Sequence, residues 1–369
     1  MTTPLWTDDM LDRMRRLGDP LADAAIAETY DLGQQDQVRQ VLFGLERNND
    51  PLPTGLPQQV QHYFDEAVLP EWADSTLMDR GRTLLGRYEN SLVSTLLCYS
   101  LVACYSCGDG ARVLGMSQRL TSGVYRRLME TSQFLVDVLD KDGLGAGGKG
   151  LRSAQKIRLL HATMRYHLSQ RKDWDSAWGV PVNQEDLAGT LMSFSVVIPR
   201  GLERLGIDLA EEDRDAFFHI WRVIGHVLGV DAQLNAACFD DGSALWDTIL
   251  RRQQSTSEAG IALTKGVLDF IREVLPGPAL AGVGPTLIRH LAGDETADLV
   301  AVPPADLSQL AVGAGSALNF GYGETSNTVP LAAKAAGELG TVVFKAGLRL
   351  TNRGRRYNWE VPTGLTAAN

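Results

Sequence analysis

Leu151-Arg152-Ser153-Ala154-Gln155-Lys156-Ile157-Arg158-Leu159-Leu160-His161-Ala162-Thr163-Met164-Arg165-Tyr166-His167-Leu168-Ser169-Gln170 reads as one long helix. Its surroundings read the same way. Upstream, short amphipathic pieces from Asp9 to Glu46 are broken by Gly18-Asp19-Pro20 and Asp31-Leu32-Gly33, and Asn48-Asn49-Asp50-Pro51-Leu52-Pro53 makes a turn or linker. Helices follow at about Pro57 to Val68, Ser75 to Arg87, Ser91 to Cys107 and Arg119 to Leu139. Downstream, Asn183 caps a helix that runs from Gln184 to about Val197, before Pro199. Asp213 to Leu228 is strongly amphipathic and stops at Gly229, and Asp240-Asp241-Gly242 reads as a turn. The stretches Ser243 to Arg289 and Asp306 to Leu348 are helical with Gly and Pro interruptions, and Asn352 to Asn369 reads as a loose tail. Alternation with period two is scarce, so the chain is expected to be all-α.

Composition narrows the function. The 369 residues carry 35 Lys plus Arg against 45 Asp plus Glu, a net charge of −10. An acidic chain without a basic block lacks the clustered cations that phosphate contact needs, which argues against a nucleic-acid partner. The longest apolar stretch, Leu92 to Ser106, holds about fifteen residues, short of the ~20 that span a bilayer. Met1 to Asp9 shows neither a Sec nor a twin-Arg pattern, which predicts a cytoplasmic protein. In that compartment Cys98, Cys104, Cys107 and Cys238 are expected to be reduced.

Two motifs are decoys. Gly143-x-Gly145-x-x-Gly148 fits a dinucleotide fingerprint, but a helix precedes it where a strand is required. Gly143-x-x-x-x-Gly148-Lys149 ends in Gly150, where a phosphate loop needs Ser or Thr. The cluster reads as a flexible loop between helices. Cys104-x-x-Cys107 is followed by Gly108, which excludes covalent c-type haem attachment.

His161 has unusual company. Arg158 and Arg165 stand at i−3 and i+4 and share its helix face, with Leu160 and Ala162 alongside. Such a face suits an anionic planar cofactor, with the imidazole on iron and an Arg on a propionate. The same residues also make a solvated basic stripe, and the helix pattern does not choose between the two. In the preceding helix Arg127 and Thr131 are four apart, with Glu130 beside them; the group makes either a polar pocket wall or an exposed ion pair. His219 and His226 lie two turns apart on one face, and His226 is a candidate second pocket residue.

Several strings together resemble the rubber oxygenase (latex-clearing protein) family, which includes an oxygenase of mycophenolic acid biosynthesis. They are Arg126-Arg127-Leu128-Met129-Glu130-Thr131 with its Gly-rich loop, Ile157 to Arg165, Trp178-Gly179-Val180-Pro181-Val182-Asn183-Gln184-Glu185-Asp186-Leu187, and His219 to Gly229. The match spans about Gly81 to Gly229 and more loosely reaches Glu273. The resemblance implies a globin-like helical core holding a non-covalent haem b, with His161 as the proximal iron ligand. It implies catalytic distal-pocket roles for Arg127 and Thr131, and O₂ addition across an isoprene C=C bond. The family's distal Lys is replaced here by Glu130, which could act as a base or hold a water.

Residues 1–74 are then expected to form an N-terminal helical extension, 75–275 the haem-binding core and 276–369 C-terminal helices and tail, packed as one unit. Rubber oxygenases are secreted, whereas this chain shows no export signal. The expected reaction is therefore a haem-dependent oxygenation of a small hydrophobic intracellular substrate (isoprenoid, lipid or aromatic) with O₂. A haem-binding sensor or carrier, and a haem-free helical interaction protein, are the alternatives.

Overall fold

The structure, a computed structural model, describes residues 5–116, 124–306 and 328–351. No strand forms among them; Cys107 and Gln254 meet in one isolated antiparallel bridge. The helices are α1 (Asp8–Met14), α2 (Pro20–Asp31), α3 (Gln35–Gly44), α4 (Gln58–Glu66), α5 (Ser75–Thr95), α6 (Leu101–Ser106), α7 (Gly108–Met116), α8 (Val124–Leu139) and α9 (Gly150–Leu168). They continue as α10 (Gln184–Ser195), α11 (Val197–Arg204), α12 (Glu211–Val227), α13 (Phe239–Gln253), α14 (Glu258–Val274), α15 (Val283–Ala292), α16 (Asp294–Leu299) and α17 (Thr328–Thr351). The tail from Asn352 and the stretch 307–327 lie outside the described residues.

Local chemistry starts these helices. Asp19, Asp74, Asn183 and Ser257 each accept a backbone N–H of the first turn, and Pro20 opens α2 where its missing donor costs nothing. The helices expected at Ser75 to Arg87 and Ser91 to Cys107 run on from one another: α5 continues through a kink at Tyr88 to Thr95, a π-helical turn occupies Leu96–Ser100, and α6 follows. α10 ends at Ser195, close to the expected end before Pro199, and Pro199 itself sits in the first turn of α11, where proline removes no intrahelical bond.

Asp240-Asp241-Gly242 is no turn; it lies inside α13. A Cβ on Gly242 would stand 2.3 Å from Phe218, so the glycine lets two helices approach rather than bending the chain. The glycine loop is likewise not a loose connector. Asn48 donates its side-chain amide to the carbonyls of Gly143 and Gly145 at 2.8 and 2.5 Å, and its backbone N–H to that of Gly148 at 2.9 Å. A Cβ on Gly148 would meet the carbonyl of Asp142 at 2.0 Å.

The main core gathers around Trp221, Trp246, Phe217 and Phe218, with Phe194 stacked on Trp221 at 4.7 Å. A second cluster seats the N-terminal helices on α9: Ala22, Ile26, Tyr63 and Phe64 pack against Leu159 and Ala162. At the other side α17 packs along α5, where Ser94 donates to the carbonyl of Ala336 at 2.5 Å. No helix of the described residues is long and apolar enough to cross a membrane. All four cysteines are unpaired.

Candidate active site

A cavity of about 290 Å³ lies between α6, α7, α8, α9, α10 and α13. Its wall is mostly apolar: Leu101, Leu114, Phe134, Ile157, Leu160, Met164, Leu191 and Trp246 face it. Four polar groups of interest interrupt that wall, namely Glu130 and Thr131 on α8, His161 on α9 and Asp186 on α10. Sequence reasoning named the first three, and the fold brings them together.

His161 retains some accessible surface, and it borders the cavity. Its Nδ1 is buried and finds no hydrogen-bond partner among the described residues. Burial pushes the imidazole down to about 4, and the nearby charge of Arg165 adds to the effect against Asp19. The ring is therefore neutral at physiological pH, the form in which histidine ligates metals. An orphaned buried nitrogen is costly unless something binds it. A neutral imidazole on an apolar cavity fits an iron-bearing planar cofactor.

Glu130 is 1 % exposed and lines the cavity one residue before Thr131. Arg127 belongs to the same helix, but its side chain lies outside the described residues. The three remaining sequence candidates stand elsewhere. Arg158 is buried against Asp19, donating from Nε and Nη2 at 2.5 and 2.8 Å, and reaches the carbonyl of Val227 at 3.1 Å. Arg165 donates to Asp23 at 2.8 Å and to the carbonyl of Val182 at 2.7 Å. Neither lines the cavity. The reason is α2, whose first turn lays Asp19 and Asp23 over α9 and engages both guanidinium groups internally. The expected propionate contacts are thus not set up by these two residues. His226 is exposed on α12 with Trp72 edge-on at 5.9 Å, also away from the cavity. It does share a face with His219, which also meets Trp72, but that face turns outward because Trp221 and Ile224 hold the core side.

Asp186 and its partners were not singled out from the sequence. Asp186 reads there as one of the first residues of a capped helix, and Asn183 does donate to its Oδ2 at 2.8 Å. The same carboxylate borders the cavity, and Arg15 donates to its Oδ1 at 3.2 Å. Arg15, just past α1, also pairs with Glu185 at 3.3 Å and Asp109 at 3.5 Å. Arg252 completes the cluster at 2.9 Å from Glu185. Only the fold joins residue 15 to residues 109, 186 and 252, so no local spacing reveals the group. Cys104 and Cys107 line the cavity nearby; burial raises both thiols, Cys104 to about 11, so neither is an activated nucleophile.

Fold and site thus define an all-α protein with a histidine bordering an apolar pocket that two carboxylates and a hydroxyl also reach. The chain belongs to the family described as ER-bound oxygenase mpaB/B'/Rubber oxygenase, catalytic domain, which it matches over residues 94–318. It is an oxygenase. It is 24 % identical over 356 residues to the rubber oxygenase of Streptomyces sp. (strain K30), covering 93 % of this chain and 85 % of that protein. Its fold is similar to that of latex clearing protein LCP in the closed state, with a TM-score of 0.74 at 22 % identity over 89 % of this chain and 91 % of the other.

Proposed function

We propose that the chain is a haem-b-dependent oxygenase that uses O₂ on a small hydrophobic substrate (isoprenoid, lipid or aromatic) inside the cell rather than on an exported polymer. The observation that carries this reading is His161, neutral and bordering an apolar cavity, with a buried Nδ1 that has no hydrogen-bond partner among the described residues. His161 would hold the iron, and bound haem would supply the O₂ chemistry. The apolar wall binds the substrate by burying its surface and excludes water. The Thr131 hydroxyl is a hydrogen-bond donor in that wall, able to orient a polar oxygen beside an otherwise greasy substrate. Glu130, in the adjoining position, is suited to holding or moving a proton at its carboxylate. Arg127, one turn before Thr131, adds a fixed positive charge to the same helix.

The test is O₂ uptake by the haem-loaded protein, offered small isoprenoids, unsaturated lipids and polyisoprene latex in parallel. Uptake with a small alkene and carbonyl products is the predicted outcome. Turnover of latex alone would overturn the substrate class, and no uptake with any of them would overturn the oxygenation.

A further inference from the structure

Three side chains at the junction of α2 and α9 form a chemical unit that the cavity does not use. The Tyr30 hydroxyl stands 2.6 Å from Nε2 of His167. The Tyr30 ring stacks on Tyr166 at 4.4 Å between centroids with 13° between planes, and His167 meets both rings edge-on. All three are half-buried, at the edge of the cluster that seats α2 on α9.

We propose that Tyr30 is a redox-active tyrosine, with His167 as its proton acceptor and Tyr166 as its electronic link toward the His161 site. The proposal rests on the haem reading above for the identity of its electron acceptor.

The chemistry follows from the geometry. A phenol gives up an electron at accessible potential only if its proton leaves with it, because the protonated radical cation is too strong an acid. A neutral imidazole at hydrogen-bond distance takes that proton with no diffusion step. Burial lowers the basicity of His167 enough to keep it neutral and able to accept. Burial also raises Tyr30, so the phenol stays protonated until oxidation. Tyr166 follows His161 by five residues on the same helix, about 7.5 Å along its axis and roughly 140° around it, so the electron crosses α9 itself from the α2 side to the cavity side.

Hydrogen peroxide, arriving without substrate, oxidises the loaded cofactor and is reduced to water. One electron passes from Tyr30 through the stacked Tyr166 ring to that oxidised group. The Tyr30 O–H bond breaks and its proton moves to Nε2 of His167. A neutral tyrosyl radical, an imidazolium and a cofactor reduced by one electron result. A solvent reductant of the ascorbate class returns the electron, the proton goes back to the phenolate oxygen, and a second such cycle consumes the second oxidising equivalent of the peroxide. The unit would drain oxidising equivalents that no substrate has consumed, toward a half-exposed site where a small reductant can reach them.

The experiment has two arms. In the first, the protein is loaded with haem, uptake is confirmed by absorption, and it is frozen after mixing with hydrogen peroxide for electron paramagnetic resonance. A tyrosyl signal is expected, with its loss in Tyr30→Phe, which keeps the stacked ring and removes only the hydroxyl. In the second arm, the protein without haem meets a soluble ruthenium photo-oxidant. Tyrosyl formation at Tyr30 is expected, several-fold slower in His167→Phe, where the proton must leave to water; an equal rate overturns His167 as the acceptor. A signal unchanged in Tyr30→Phe, or no tyrosyl radical in a protein that has taken up haem, overturns the proposal. Absent haem uptake with a Tyr30 radical in the second arm overturns the haem reading and leaves the tyrosine–histidine unit standing. Absence of the radical from the second arm overturns the unit itself.

Discussion

At Asp186 a carboxyl is pushed up to about 6, mainly by burial, with Arg15 opposing and Glu185 reinforcing the shift. The folded protein therefore binds more protons here than the unfolded chain does between pH 3.8 and about 6. The stabilising contribution is complete below 3.8 and is lost as pH rises through 6, by at most about 3 kcal/mol. Asp186→Asn removes this dependence. Relative to the parent, the variant should gain stability between pH 4 and pH 7, as read by urea denaturation at each pH. A difference that does not change with pH contradicts a buried, titrating carboxyl. Across the cavity, Thr131→Ala should lower turnover roughly 10–100-fold, the scale of losing one preorganised donor, while leaving haem content unchanged. Arg127→Ala should act in the same direction. Haem content is measured by pyridine haemochrome and turnover by O₂ uptake; unchanged turnover in both variants contradicts the proposed distal roles of both residues.

Between elements, two contacts place the site. The Asp19–Arg158 pair ties α2 to α9 in a buried setting, where loss of one partner strands a charge. Asp19→Ala should cost about 3–5 kcal/mol of stability by denaturant titration. A cost below about 1 kcal/mol would mean the pair is effectively solvated. Gly242→Ala pushes a methyl into Phe218 and should destabilise by about 1–3 kcal/mol, measured the same way. A turn glycine at an ordinary φ would show no such cost. These contacts also mark what the sequence concealed. Helical periodicity gives α9 and α12 nearly to their ends, and the Asn183 cap fixes the start of α10. Gly242 misleads because a glycine marks a break when local geometry decides and a close approach when packing does. Arg158 and Arg165 mislead for a related reason: sharing a face with His161 does not tell which neighbouring helix meets that face, and α2 does.

For the whole molecule, the cavity joins residues from α6 through α13, and its charged end is closed by Arg15 from the first helix. Spacing along α8 and α9 marks Glu130, Thr131 and His161 as candidates, and the family resemblance selects them. Asp186 with Arg15 depends on contacts 171 residues apart in the chain, and only the assembled fold exposes it. The N-terminal helices support α9 through Tyr63, Phe64 and Ile26, so the histidine helix is braced from outside the stretch that matches the family. The most direct measurement is the absorption spectrum of the purified, haem-reconstituted protein beside His161→Ala. A Soret band with a b-type pyridine haemochrome, lost or displaced in the variant, is the result the proposed haem-dependent function predicts. A colourless parent protein, or a band identical in both, would contradict His161 as the ligand and with it the haem-dependent reading of the cavity.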